Sequence, residues 1–246
     1  MILDVGEKAL NKVAEVALST QLDESERLDV QLNTDPGQLA QGKVEALVID
    51  GRGLVMQKDL RLQEMKIEMS SIAVNPMKAL AGNLELSEPT EGTAHVILTE
   101  ADLNRAFNSK TLSTQMENLN IHVDGEPVTI DTQRVDCNLR ADGKVGIDAQ
   151  ILMRQTDETQ QVSFTTTPRV TPRGRGVSLE DVHYTEGKEL SPELTSALVE
   201  KARGILNLNN FEMEGISLRI QQLEVNSDKL TLQAVADITH LPSAES

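Results

Sequence analysis

The chain has 246 residues, of which 39% are hydrophobic, and a formal net charge of −16. This length can build a sizeable core, while the negative charge excludes general binding to nucleic acid, whose phosphates it would repel. Four aromatic residues are too few for base-stacking platforms, and the single cysteine, Cys137, excludes an internal disulfide.

Three segments have the apolar spacing of an amphipathic helix. The first covers Val5–Thr20, and the second follows Thr99, an N-cap with Asp102 three residues on, as in a capping box. The third begins at "SPEL", where Ser191 can cap and Pro192 suits the first turn. Its apolar stripe comprises Leu194, Ala197, Leu198, Ala202, Ile205 and Leu206.

Most of the remaining chain alternates apolar and polar residues, which predicts about ten β-strands. Turn dipeptides such as Asp142-Gly143, between a strand ending at Leu139 and one beginning at Val145, predict antiparallel hairpins. Two predicted strands, Lys43–Met56 and Leu60–Val74, far exceed the usual length of about 17–20 Å. We therefore expect one elongated antiparallel sheet.

In four of these strands the alternation breaks and resumes on the opposite parity. The breaks fall at Gln63-Glu64 in "LRLQEMKI", at Gln221-Gln222 in "LRIQQLEV", between Ile130 and Val135, and at Glu180-Asp181. A β-bulge absorbs such a one-residue slip, and repeated bulges would curl the sheet around its apolar face. Alternatively, some slips mark the ends of strands.

A curled sheet needs its concave face filled, either by a helix or by an apolar ligand. Residues around the two matched breaks are the candidates for the wall of an acyl-chain groove, although the same side chains would suit a closed core. These candidate groove residues are Leu60, Leu62, Met65, Ile67, Leu218 and Ile220.

The segment "PRVTPRGRG" differs from the acidic remainder of the chain. It carries Arg169, Arg173 and Arg175 and no acidic residue. Guanidinium groups bind phosphate well, so these arginines are candidates for recognising a lipid headgroup. The alternative is an exposed loop whose arginines pair with the surrounding acidic surface.

The sequence shows no signature of catalysis, of a metal site or of a cofactor. His95, His122, His183 and His240 are isolated from one another, and there is no GxSxG, P-loop or GxGxxG motif. We therefore expect a protein that is not an enzyme and that needs no metal or cofactor.

The order of elements resembles the bacterial LmeA-like phospholipid-binding family. The stretches that carry the resemblance are "RLDVQLN", "GKVEALVIDGRGLVMQKDLRLQEMKIEM", "AHVILTEADLNRAFNS" and "LRIQQLEVNSDKLTLQAVADI". The resemblance implies an α+β fold in which a long, strongly curved antiparallel sheet wraps amphipathic helices, similar to the tubular lipid-binding (TULIP-like) folds. It also implies a phospholipid or another amphiphile as the ligand.

These observations lead to two expectations of function. The first is a soluble lipid-binding or lipid-transfer protein, with one elongated domain over residues 1–240, a tail at 241–246 and transient membrane contact. The second is a protein-interaction domain with a packed core and no pocket. The chain lacks an apolar run of transmembrane length and a recognisable signal peptide, so we expect a cytoplasmic location, peripheral to a membrane.

Overall fold

The computed structural model describes residues 11–12, 14–16, 18–56, 59–80, 85–123, 125–184, 196, 199–200 and 215–239. Within them the strands are β1 Arg27–Asn33, β2 Lys43–Met56, β3 Leu60–Ala73, β4 Thr90–Thr99, β5 Leu119–Val123, β6 Glu126–Leu139, β7 Val145–Met153, β8 Glu158–Val170, β9 Val177–Tyr184, β10 Ile216–Asn226 and β11 Lys229–Ile238. The helices are α1 Pro36–Leu39, α2 Pro76–Leu80, α3 Glu100–Phe107 and α4 Lys110–Ser113, and a 3-10 turn follows at Thr114–Met116.

The strands form two antiparallel sheets, where the sequence predicted one. The six-stranded sheet has the order β1-β2-β3-β4-β11-β10, and the five-stranded sheet has the order β5-β6-β7-β8-β9. Both edges of β4 are occupied, by β3 and β11, so β5 cannot pair with the strand that precedes it in the chain. Helices α3 and α4 lead the chain away from β4 to begin the second sheet.

The predicted lengths of the two long strands β2 and β3 are confirmed. β2 and β3 have 14 residues each and stay paired from Met56↔Leu60 to Lys43↔Ala73, which spans roughly 45 Å at about 3.3 Å per residue. The predicted hairpin at Asp142-Gly143 is also present, because β6 ends at Leu139 and pairs there with Val145, the first residue of β7. Local turn chemistry and period-two alternation were sufficient to place these elements.

Three of the four predicted slips coincide with a shift of register. One extra residue, Gln133, lies in β6 opposite β7, and another, Gln221, lies in β10 opposite β11. In β9 the shift against β8 includes Asp181, which adopts the left-handed conformation with φ 51°. These irregularities accompany a strongly curled sheet, as the sequence predicted.

The predicted slip in β3 is wrong as a register shift. Arg52 pairs with Glu64 and Leu54 pairs with Leu62, so one residue lies between these pairs on each strand and the register is kept. The intervening residue of β2 is Gly53, whose φ of 57° lies in the left-handed region that glycine adopts without steric cost. The break in alternation in β3 is therefore accommodated without an extra residue on either strand.

The hydrophobic core is divided between the two sheets. The six-stranded sheet carries a cluster of buried aliphatic residues, against which Ala14 and Leu18 of the N-terminal helical residues pack. The Asn11 side chain fixes these helical residues to the sheet by accepting a hydrogen bond from the backbone N–H of Leu32 at 2.9 Å. A second cluster fills the five-stranded sheet and includes Val199.

The three predicted helices differ in how far they can be compared with the structure. α3 begins after Thr99 with the predicted capping box, in which Thr99 and Asp102 bond reciprocally. In the predicted helix at 5–20, residues 11–12, 14–16 and 18–19 are helical, Thr20 lies in a turn, and the other positions lie outside the described residues. The predicted helix beginning at "SPEL" lies largely outside them too, although residues 196, 199 and 200 are helical.

Candidate ligand cavity

A cavity of about 270 Å³ lies between the two sheets. One wall comes from β3, β4, β10 and β11, and the opposite wall comes from β6, β7, β8 and β9, with α3 between them. Along most of these strands every second side chain faces the cavity, as expected of a strand with one face towards an apolar space. Of the described lining residues, only Arg61 and Thr132 carry a side-chain nitrogen or oxygen.

The breaks in alternation keep apolar side chains on the cavity side of each strand. In β3 the lining residues change parity at Gln63-Glu64, and in β10 they change parity across the extra residue Gln221. In β6 they change parity across Gln133. The breaks that were visible in the sequence therefore serve to keep one continuous apolar wall.

The structure brings the six candidate groove residues of the sequence analysis together. All of them border the cavity, and their contact with lipid stays a prediction. They are Leu60, Leu62, Met65, Ile67, Leu218 and Ile220.

Sequence reasoning missed the opposite wall and the place of α3 in the cavity lining. These lining residues include Leu103, Phe107, Val135, Cys137, Ile147 and Phe164. Their period-two or helical spacing was recognisable, but nothing local showed that a second sheet would face the first. Only the long-range pairing of strands puts the two sets of side chains around one space.

Helix α3 takes the place of a missing strand beside β6. β5 pairs only with the first part of β6, up to Ile130. Beyond Ile130, the Asn104 side chain accepts a hydrogen bond from the N–H of Cys137 at 2.6 Å and donates one to the carbonyl of Cys137 at 2.9 Å. Asn108 does the same at Val135, at 3.0 and 2.6 Å.

Together with Glu100, which accepts from the N–H of Leu139 at 2.8 Å, these side chains satisfy alternate backbone groups along one edge of β6. Positions 100, 104 and 108 lie on one side of the helix because they are four residues apart. The other side of α3 presents Leu103 and Phe107 to the cavity. Polar side chains of α3 thus fix a wall that is apolar towards the cavity.

The one charged residue among the described lining residues, Arg61, is neutralised by two carboxylates. Its guanidinium donates to Asp102 at 2.7 Å, to Glu26 at 2.7 Å and to Gln63 at 3.0 Å. The hydrogen bonds to Asp102 and Glu26 raise the pKa of Arg61 above its ordinary value. Since Asp102 is only 3% exposed, this pair also holds α3 to β3.

Two further lining residues, Cys137 and Thr132, have a thiol and a hydroxyl that the sequence analysis did not assign to the site. Burial raises the pKa of the Cys137 thiol to about 12, and the charge of Glu100 adds to this effect, so the thiol stays protonated and unreactive. The hydroxyl of Thr132 is buried without a hydrogen-bond partner.

The three arginines of the basic segment lie beside the cavity rather than in its wall. Their neighbours Pro168 and Val177 border it, while all three arginines are exposed. The Gly174 carbonyl accepts from the N–H of Ile220 at 2.8 Å, which fixes this loop to β10. A Cβ on Gly174 would lie 2.6 Å from the Ile220 carbonyl oxygen, so only glycine fits this joint between the sheets.

Two of the three arginines carry no ion pair in the described parts of the chain. Arg169 lies 3.8 Å from Glu180, whereas Arg173 and Arg175 have no carboxylate within ion-pair distance there. The predicted pairing with the acidic surface holds for Arg169, and Arg175 lies close enough to Asp237 that its charge, after the hydrogen bond from Arg219, helps to lower the pKa of Asp237.

The histidines are not grouped, as far as the structure describes them. His95, His122 and His183 lie on β4, β5 and β9, and none of them borders the cavity. His240 lies outside the described residues. None of the described His, Cys, Asp and Glu side chains form a group that could hold a metal ion.

Across the described ranges, no helix has both the length and the hydropathy to cross a membrane.

The fold and the cavity together define a curled antiparallel β-protein with an internal space lined by hydrocarbon. Such apolar, largely pre-formed spaces are the usual sites of small-molecule binding. The model of the family described as LmeA-like phospholipid-binding matches residues 3–235, and the chain belongs to that family. This confirms the resemblance seen in the sequence. No curated protein and no solved structure matches the chain.

Proposed function

We propose that this protein binds a phospholipid or another amphiphile and places an acyl chain in the cavity between the two sheets. The observation that carries the proposal is the wall, which offers hydrocarbon on nearly every side of about 270 Å³. Transfer of a methylene group from water into such a space contributes about 0.8 kcal/mol. Membership of a phospholipid-binding family supports the same ligand class.

The size of the cavity limits how much lipid it accepts. Small-molecule pockets commonly enclose about 300–1,000 Å³, and this one is slightly below that range. A single acyl chain is therefore the expected occupant, and a second chain would require the sheets to separate. In this proposal the curled sheets hold the chain lengthwise, as the tubular lipid-binding folds do.

The headgroup is expected to lie outside the wall, near the basic loop. Arg173 and Arg175 flank Gly174, which anchors the loop to β10 beside the lining residue Ile220. Exposed guanidinium groups at this place would suit a phosphate. Transient contact of the same loop with an anionic membrane would then permit lipid uptake and transfer.

The proposed activity is binding without catalysis. An acyl chain in this cavity would meet Arg61 and Thr132 as the only side-chain nitrogen and oxygen donors among the described lining residues, and Arg61 is already paired with Asp102 and Glu26. Nucleophilic catalysis needs a nucleophile beside a base, and the three described histidines lie away from this wall.

Native mass spectrometry of the purified protein, with extraction and identification of bound lipid, tests the proposal. We expect a stoichiometric amphiphile that exchanges with added phospholipid vesicles. A mass without adduct that stays unchanged after incubation with vesicles would refute lipid binding. It would favour the protein-interaction domain instead.

Filling the cavity tests whether the lipid lies where we propose. Leu62→Trp puts a bulky side chain into the wall, whereas Leu86→Trp makes the same change in a half-buried residue packed on the first core cluster. Leu86 pairs with Val74, which is roughly 20 Å along the chain from the lining residue Ile67 at about 3.3 Å per residue. We expect Leu62→Trp to lose the lipid and Leu86→Trp to keep it. Equal retention by both variants would place the lipid elsewhere.

A further inference from the structure

The lining of the cavity ends at a defined level along β7. Side chains two residues apart lie on the same face of a strand, and Val145, Ile147 and Ala149 border the cavity in this way. The next residue on that face, Ile151, is 0% exposed and is not among the described lining residues. The cavity therefore stops between Ala149 and Ile151.

The two strands beside β7 stop lining the cavity at nearly the same level. In β8, Val162 pairs with Ala149 but is not among the described lining residues. In β6, Thr132 pairs with Ile151 and still borders the cavity, whereas Ile130, the next residue on its face, is not among the described lining residues. Ile130, Ile151 and Val162 are fully buried, and we call these three residues the floor of the cavity.

The six-stranded sheet shows which parts of the opposite wall lie at the two ends of the cavity. Leu60 of β3 belongs to the same core cluster as the three floor residues. Ile220 of β10 donates its backbone N–H to the carbonyl of Gly174, in the basic loop, at 2.8 Å. Since Leu60 and Ile220 both border the cavity, the cavity extends from the basic loop beside β10 to the floor near β3.

The floor and the basic loop also lie at opposite ends of β8. The strand continues from Val162 at the floor to Val170, where the loop begins, and this stretch spans roughly 26 Å at about 3.3 Å per residue. The arginines Arg169, Arg173 and Arg175 at the loop end are exposed. A lipid whose phosphate lies at this loop can therefore reach the floor only with the methyl end of its acyl chain.

We propose that the floor stops the methyl end of the acyl chain and so sets the longest chain that the cavity accepts, with Ala149 and Ile151 as the specificity-determining residues. Each methylene group that leaves water for the cavity favours binding about fourfold. A methylene group beyond the floor finds no space, because protein interiors are close-packed. This inference rests on the proposed function and adds chain length as the property of the lipid that is selected.

Lysophosphatidylcholines that differ only in the length of one saturated chain test the inference. Delipidated protein is mixed with two neighbouring members of the series at equal concentrations, below those at which they form micelles. Native mass spectrometry counts the two complexes, which differ in mass. We expect the longer lipid to be favoured about fourfold for each added methylene group, up to a limiting length. Beyond that length the wild-type protein should no longer favour the longer lipid.

Two substitutions at the floor should move the limiting length in opposite directions. Ile151→Ala removes most of a side chain from the floor and should raise the limit by about two or three carbons. Ala149→Leu fills the space directly above the floor and should lower the limit by about the same amount. Ile238→Ala is the matched control, because Ile238 is equally buried, belongs to the first core cluster and is not among the described lining residues. It should keep the wild-type limit.

The other outcomes separate this inference from the proposed function. If the wild-type preference rises with chain length without a limit, the floor does not select the chain, and lipid binding itself stands. The same holds if Ile151→Ala and Ala149→Leu both keep the wild-type limit, or if Ile238→Ala moves it as far as they do. A wild-type protein that binds no member of the series overturns the proposed function. If Ile151→Ala does not fold, the shift in Ala149→Leu decides the matter.

Discussion

At the scale of single residues, two buried threonines predict opposite effects of the same substitution. Thr132→Val removes a hydroxyl that is buried without a partner, so we expect the ligand-free protein to gain about 1 kcal/mol of stability. Thr166→Val leaves the Glu180 carbonyl without its donor and should cost about 1–2 kcal/mol. Urea unfolding of delipidated protein measures both changes. A loss in Thr132→Val as large as that in Thr166→Val would show that its hydroxyl is paired in solution.

Cys137 predicts how stability changes at alkaline pH. The thiol ionises near 9.0 when unperturbed and at about 12 in the folded protein, chiefly because it is buried. Between these values the unfolded chain loses the proton and the native chain keeps it. The contribution of this group to stability is therefore complete below pH 9 and falls by up to about 1.4 kcal/mol per pH unit above it.

Cys137→Ala should remove that part of the pH dependence. The measurement is the free energy of unfolding of both proteins from about pH 8 to pH 10, where only the wild type carries the thiol. We expect the two curves to run parallel at the lower end and to converge as the pH rises. Curves that stay parallel throughout would show that the thiol ionises equally in both states.

At the scale of elements, the sequence was sufficient to place a strand or a helix wherever the pattern that predicts it lies within a short stretch of the chain. Alternation placed β2 and β3 to within one residue, and the Thr99 and Asp102 pair placed the start of α3. The division into two sheets was not predictable, because it depends on β4 pairing with β11, far along the chain. The same long-range pairing brings Thr132 opposite the predicted wall, so its unpaired hydroxyl could not be recognised from the sequence.

Helix α3 illustrates an element that was predicted correctly while its role was not. Its capping box was visible in "LTEADLN", but the use of Asn104 beside β6 depends on β5 ending early. The same short motif supplies the cap, the carboxylate that pairs with Arg61 and the side chains that complete the edge of β6. The most recognisable stretch of the sequence is thus the one that joins the two walls of the cavity.

The edge contacts of α3 predict a large effect of one asparagine. Asn104→Ala leaves the N–H and the carbonyl of the buried Cys137 without partners, so we expect a loss of about 2–4 kcal/mol. Asn138→Ala is the matched control, because Asn138 is exposed on the same strand, and surface changes of this kind usually stay within about 0.5 kcal/mol. Urea unfolding with an unchanged m-value measures both. Similar small losses would show that water replaces Asn104 at this edge.

At the scale of the whole molecule, two joints hold the sheets around the cavity. α3 joins β3 to β6 through Arg61 and Asn104, and the loop at Gly174 joins the five-stranded sheet to β10. Two sheets fixed by short polar contacts can enclose an apolar space that their own side chains do not fill completely. The segment at the second joint also carries Arg169, Arg173 and Arg175, which are all exposed.

Arg169, Arg173 and Arg175 form a locally basic site on a protein whose net charge is −16. We expect this site to bind an anionic membrane. A protein this acidic is repelled by an anionic membrane, so any binding to it must come from a local basic site. Each Lys or Arg near such a surface contributes about 1 kcal/mol. Changing Arg169, Arg173 and Arg175 together to Ser should therefore weaken binding to vesicles containing anionic phospholipid, on the order of 100-fold at low salt.

Vesicle flotation measures this effect, with a second triple variant as the control. Arg27, Arg134 and Arg140 changed to Ser remove the same three charges, but these arginines pair with acidic residues two positions along their own chain segments. We expect the control triple to bind as the wild type does, and vesicles of phosphatidylcholine alone to bind none of the three proteins tightly. If both triple variants bind the vesicles more weakly by the same factor, the effect comes from the net charge and the loop has no specific role. If the first triple variant binds as the wild type does, the loop takes no part in membrane contact. Since the loop is anchored beside the lining residue Ile220, a specific effect would place the membrane surface next to the cavity that we propose for the lipid.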